Sequence, residues 1–226
     1  MNSFISLFLL IGLVYGQDGP NPERFKISPE GDRVFIDLFR LWDKKNSVPK
    51  NPIVFIGSSS IRKWSTAEYF PDMPIINRGF GGAHISDVNH YINETVLKYK
   101  PRIIVFYAGD NDIAYGKTPE IVLDDYIYFV KNIHTILSNT KIIFIPIKPS
   151  LRRWSYWTKM KEANNLIYNY TNKNPLLYYI DTSSPMLDNN GIPVSSLYVN
   201  DSLHLSIDGY DLWSRLLEPI LRTELK

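Results

Sequence analysis

The sequence predicts an α/β protein built on one parallel sheet with helices on both faces, and three observations carry that expectation. Apolar runs of strand length recur at Ile53 to Ile56, Pro74 to Asn77, Arg102 to Tyr107, Lys141 to Ile147 and Leu176 to Ile180. They are continuous rather than alternating, as expected of strands buried on both faces. Between them lie segments with helical period, and parallel strands need such crossover connections.

Taken in order, residues 1–16, "MNSFISLFLLIGLVYG", carry an apolar stretch from Phe4 to Val14 and end in a small residue. That stretch suits a secretory signal better than a membrane span, which needs roughly 20 apolar residues. Residues 17–226 then read as a single domain whose first part, 17–50, is an N-terminal helical extension. In "RVFIDLFRLWDKK" the side chains of Val34, Phe35, Leu38, Phe39, Leu41 and Trp42 fall at helical spacing, which predicts a helix laid against the body. After the third strand, Val122, Tyr126, Phe129, Ile133 and Leu137 mark the clearest helix. A final helix carries Tyr210, Trp213, Leu216, Leu217 and Ile220 on one side.

Composition narrows the function classes. A chain of 226 residues with 44% hydrophobic and 21% charged content can bury a sizeable core. Its formal net charge of +2, with no long basic run, gives no nucleic-acid footprint. Cysteine is absent, so no disulfide forms, and a domain this large needs none for export to a periplasm or medium.

In open α/β sheets chemistry sits outside the carboxyl ends of the strands, so the residues after each strand are the candidates. The first strand is followed by Gly57, Ser58, Ser59 and Ser60, the second by "RGFGGAH" and the third by "AGDND". Near the C-terminus, Asp201 and His204 stand three apart before the last helix. A serine hydroxyl needs an adjacent base to act as a nucleophile, and the base needs an orienter. A developing oxyanion needs donors, for which the N–H groups of Gly82 and Ser59 and the side-chain amide of Asn111 qualify. Two other readings of the serine turn remain open on residues alone. One is a phosphate nest, which leaves Asp201 and His204 unexplained; the other is a binding module that kept the fold and lost catalysis.

With these residues in order, the chain resembles the SGNH hydrolases, also called the GDSL esterase and lipase family. The resemblance spans roughly Ile53 to Pro219. It matches Ser59, two residues after Gly57, to the family's nucleophile. Gly82 and Asn111 match the oxyanion donors, and Asp201 and His204 the acid and base. Ser58 stands where the family signature has Asp, but one branch reads Gly-Ser-Ser-Ser-Ile-Arg-x-Trp, and "GSSSIRKW" looks like it. The resemblance implies a three-layer flavodoxin-like fold with five parallel strands and a carboxylic ester hydrolase that uses no cofactor and no metal. It also implies a small-molecule, glycan or lipid ester as substrate; the charge balance gives no nucleic-acid partner, and the length of the N-terminal run gives no membrane span once that signal is removed.

The stretch "KPSLRRWSYWTKM" follows the fourth strand and should reach the same edge. There Trp154 and Trp157 offer a stacking platform or an acyl wall, and Arg152 or Arg153 a hold for an acidic group. His84, close to Gly82, is a further candidate for the pocket wall, against a polar loop residue bonded to backbone. Asp87 and His90, three apart on the next helix, lack a third metal ligand and read as a solvated helix face.

Overall fold

The computed structural model describes residues 19–26 and 36–224. The predicted signal segment, together with Val34 and Phe35, lies outside the described residues. A 3₁₀ turn at Pro22–Phe25 is followed by α1 (Ile36–Lys45), β1 (Ile53–Gly57), α2 (Ser59–Arg62), α3 (Thr66–Tyr69), β2 (Ile75–Asn77), α4 (Ile85–His90), α5 (Ile92–Thr95) and β3 (Ile103–Tyr107). The second half contains α6 (Asp110–Tyr115), α7 (Pro119–Ile136), β4 (Lys141–Phe144), α8 (Trp157–Thr171), β5 (Leu177–Tyr179) and α9 (Ile207–Glu224).

The strands form one parallel sheet in the order β2-β1-β3-β4-β5. This is the flavodoxin-like order, in which the chain reverses its winding direction between β1 and β3 and opens a crevice at their carboxyl ends. The period of two along each strand splits the core into two layers. Val54, Ile56, Ile104, Phe106, Ile142 and Phe144 face the helices α1, α4, α7 and α8. Ile53, Phe55, Ile103, Val105, Tyr107 and Ile143 face Ile61, Trp64, Phe70 and the Tyr210, Trp213 and Leu217 side of α9. Both faces are therefore covered, which is why the strand sequences are apolar apart from Gly57, Asn77 and Lys141 at strand ends.

Four of the five strands are shorter than their apolar runs. β4 stops at Phe144, although Ile145 and Ile147 stay buried. Beyond it the Asn164 side chain of α8 stands in for a neighbouring strand: it accepts from Ile147 N and donates to Ile147 O, both at 2.8 Å. Helix α7 begins as its sequence dictates, with Thr118 capping Ile121 N and Pro119 in the first turn, where a missing N–H costs nothing. Its Val122, Tyr126, Phe129 and Ile133 are buried, and Leu137 caps the end.

The first helix differs from expectation. Ile36 and Phe39 are its buried residues, whereas Leu41 and Trp42 are exposed. The helix is held by charge as well as by those two side chains, because Asp43 accepts from Arg78 (2.5 Å), Lys98 (2.5 Å) and the Tyr99 hydroxyl (2.8 Å). The segment before it is tied down as well. Phe25 is buried against Phe80 and Tyr91, worth about 2 kcal/mol for such a side chain. Arg24 makes two hydrogen bonds to the Asp87 carboxylate. Asp87 is thus buried and paired, while His90 is exposed, so the expected solvated face of α4 holds for only one of the two residues.

Candidate active site

The carboxyl ends of β1 and β3 approach at Gly57, whose φ of 141° lies in the left-handed region. A Cβ there would stand 1.8 Å from the Tyr107 carbonyl oxygen, so only glycine fits. Ser58 N–H donates to that oxygen (2.9 Å), and the chain enters α2 with Ser59 as its first residue. This turn separates three chemically equal serines: Ser58 and Ser60 are buried at 0% and 1% exposure, and Ser59 is partly exposed. Two long-range contacts pin α2. Asn77 Nδ2 donates to Ile61 O (2.7 Å) and Trp64 O (3.1 Å), and the Tyr210 hydroxyl of α9 donates to Ser60 O (2.9 Å).

The second contact matters because α9 follows the loop that carries His204. Asp201 organises that loop. Its Oδ1 accepts the N–H groups of Leu203 (2.9 Å) and His204 (2.8 Å), and its Oδ2 lies 2.6 Å from His204 Nδ1. Partial burial pushes the Asp201 carboxyl up, but the hydrogen bonds from the imidazole and the two backbone N–H groups outweigh it and hold the group well below the usual carboxylate range. An anionic Asp201 fixes the imidazole with its proton on Nδ1. Nε2 is then the acceptor, and it lies 2.9 Å from Ser59 Oγ, across 145 residues of sequence. The arrangement can pass a proton from the hydroxyl to the imidazole while a carboxylate stabilises the resulting cation.

Gly82 is exposed with φ of 80°, and a Cβ there would meet nothing within 4 Å. Its neighbour Ala83 accepts a hydrogen bond from Asn111 Nδ2 (3.0 Å), which brings the second and third turns together. Behind Asn111 lies a charged cluster. Asp110 Oδ2 is 3.4 Å from Lys148 Nζ and 3.0 Å from Arg153 Nη1, and Lys148 also donates to the Tyr107 hydroxyl (3.0 Å). Burial pushes Asp110 up, yet the two cations prevail and hold it below its ordinary value. The sequence carries one signal for this cluster, since Asp110 and Lys148 follow adjacent buried strands at the same sheet edge.

The remaining candidates fall differently. His84 is only 5% exposed and packs edge-on against Tyr115 at 5.2 Å, so it is enclosed rather than a wall of an open cleft. Its ring Nδ1 is 3.6 Å from Asp112, beyond hydrogen-bond reach, and burial lowers its pKa to about 4. The side chain of Arg152 is exposed, and its N–H donates to Ser202 O (3.1 Å); the guanidinium that enters the site is that of Arg153, whose Nη2 donates to Asn111 Oδ1 (2.9 Å). Trp154 and Trp157 stack with centroids 6.1 Å apart and planes 15° off parallel, and Trp157 also packs on the core.

The comparisons with known proteins agree with this fold. A structure from Streptococcus pneumonia is 22% identical, with a TM-score of 0.73, covering 82% of this chain and 90% of its own. A GDSL-like lipase from Bacteroides thetaiotaomicron is 18% identical (TM-score 0.71, 83% and 97% covered). An acetylxylan esterase from Geobacillus stearothermophilus, solved as a catalytic mutant, is 13% identical (TM-score 0.61, 77% and 96% covered). Among curated proteins none matches the chain. The model of the GDSL-like Lipase/Acylhydrolase family matches residues 59–212, which run from Ser59 through His204 into α9. With more than half of its length matched, the chain belongs to the GDSL-like lipase/acylhydrolase family and is a carboxylic ester hydrolase.

Proposed function

We propose that the protein is a serine esterase working through an acyl-enzyme, with Ser59 as nucleophile, His204 as general base and then acid, and Asp201 as orienter. The observation that carries this reading is the continuous chain Ser59 Oγ, His204 Nε2, His204 Nδ1, Asp201 Oδ2, with steps of 2.9 and 2.6 Å. Attack by Oγ forms the tetrahedral intermediate while Nε2 takes the proton, and the proton returns to the departing alcohol. Water then repeats the cycle on the acyl-Ser59 ester. The oxyanion is held by the N–H groups of Ser59 and Gly82 and by Asn111 Nδ2. The open space at Gly82 suits a substrate that approaches the backbone.

The first block, "GSSSIRKW", supports membership of the Gly-Ser-Ser-Ser-Ile-Arg-x-Trp branch. A buried Ser58 fits it, since an unpaired carboxylate at 0% exposure would be costly. Short acyl groups, above all acetyl on a carbohydrate, are the favoured substrates. Two tight connections at the carboxyl edge support this, because α2 follows β1 after only Ser58 and α6 follows β3 after Ala108 and Gly109. The stacked Trp154 and Trp157 offer a flat apolar face of the kind sugar rings pack on, while Trp157 also serves the core. The apolar run Phe4 to Val14 supports export as a secreted or periplasmic enzyme.

Ser59→Ala and wild type, compared on acetylated sugars, glycerophospholipids and nitrophenyl esters of increasing chain length, test mechanism and substrate together. Wild-type rates in Ser59→Ala would defeat the nucleophile assignment. A maximum at octanoyl or longer chains would replace the acetylesterase with a lysophospholipase or thioesterase.

A further inference from the structure

We infer that Arg153 is a positioning residue for the oxyanion site, acting through Asn111; the inference rests on the proposed role of Asn111 as an oxyanion donor. A side-chain amide is nearly symmetric in shape, so its orientation is set by its partners. Asn111 has two partners of opposite character. Its Nδ2 donates to the Ala83 carbonyl (3.0 Å), which can only accept, and its Oδ1 accepts from Arg153 Nη2 (2.9 Å), which can only donate. The flipped amide would set oxygen against oxygen and N–H against N–H. Arg153 therefore keeps the NH₂ group on the Gly82 side, with one hydrogen on Ala83 O and the second free for the substrate oxygen. A guanidinium on Oδ1 also draws electron density out of the amide and strengthens the free N–H as a donor.

Arg153 is itself fixed. Its Nη1 lies 3.0 Å from Asp110 Oδ2, and the turn that carries it is clasped to the His204 loop by the Arg152 N–H to Ser202 O hydrogen bond (3.1 Å) and by the Tyr198 hydroxyl on Pro149 O. Removing Arg153 leaves Asp110 still facing Lys148 Nζ at 3.4 Å, so the buried carboxylate keeps a cationic partner and the fold should survive. Lysine is a poor substitute in reach and geometry, since it lacks the fork that touches Asp110 and Asn111 together.

The test is a double-mutant cycle on nitrophenyl acetate, a neutral ester, with melting curves for every variant. Arg153→Met and Arg153→Lys should melt cooperatively. Arg153→Met should lower kcat roughly tenfold to a hundredfold with KM changed less than about threefold, and Arg153→Lys should recover only part of the loss. In the Asn111→Ala background, Arg153→Met should cost almost nothing further, because the group through which it acts is gone. Independent, multiplying losses would overturn the inference, as would an Arg153→Met effect confined to KM. Wild-type kcat in Asn111→Ala alone would instead overturn the oxyanion assignment on which the inference rests.

Discussion

The enclosure of His84 makes a quantitative prediction about acid stability. Its imidazole is 5% exposed, and burial lowers its pKa to about 4, with the Lys117 and Arg24 charges adding to the depression and Asp87 and Asp110 opposing it. Once unfolded, the same ring titrates near 6.5, so between these values the unfolded chain binds the extra proton and the folded chain does not. Stability from a neutral His84 is therefore complete above about pH 6.5 and is lost as pH falls toward 4. At pH 5 the ratio of binding polynomials is roughly 33 to 1.1, or about 2 kcal/mol, against almost nothing at pH 7.5. Urea unfolding of wild type and His84→Gln at the two pH values measures it. The variant should be less stable near neutrality but should lose about 2 kcal/mol less on acidification, since the other titrating groups are common to both. Equal acid losses in the two proteins would refute the argument that burial keeps this ring neutral.

Three further outcomes follow from the geometry. Asp201→Asn removes the anion that orients His204 and should lower kcat on the order of a hundredfold to a thousandfold with little change in KM, in steady-state kinetics on acetyl esters. Gly57→Ala puts a methyl group 1.8 Å from the Tyr107 oxygen between two central strands and should cost more than about 4 kcal/mol, read as loss of soluble protein or of cooperative melting. Ser58 Oγ is buried without a hydrogen-bond partner among the described residues, so Ser58→Ala should stay within about 1 kcal/mol of wild-type stability and keep its esterase rate.

The layout of the sheet was legible because β1, β3 and β4 are apolar on both faces, a pattern that needs no knowledge of partners. Ser59 could be separated from Ser58 and Ser60 only by spacing from Gly57 and by family resemblance, and the burial of its two neighbours supplies the physical reason afterwards. What could not be read were contacts made across the chain. Asp87 looked like half of a solvated pair because nothing local announces Arg24, which arrives from residues before the sheet. Arg152 and Arg153 are adjacent and alike, and only the turn after β4 decides which one points at Asn111. The apolar run of β4 outlasts its strand for a related reason: Ile147 is as buried as a strand residue, but its hydrogen bonds go to a side chain of α8.

The hydrogen bond between Ser59 and His204 joins residues 145 positions apart, and α2 is braced by Tyr210 from the last helix. Loop closure over such a separation comes late, after the strands that lie between have paired. During synthesis the nucleophile leaves the ribosome long before its base, so a nascent or C-terminally truncated chain carries an inert serine. Recovery of esterase activity in a refolding experiment should accordingly lag behind formation of the sheet, which makes hydrolysis a reporter for the docking of α9.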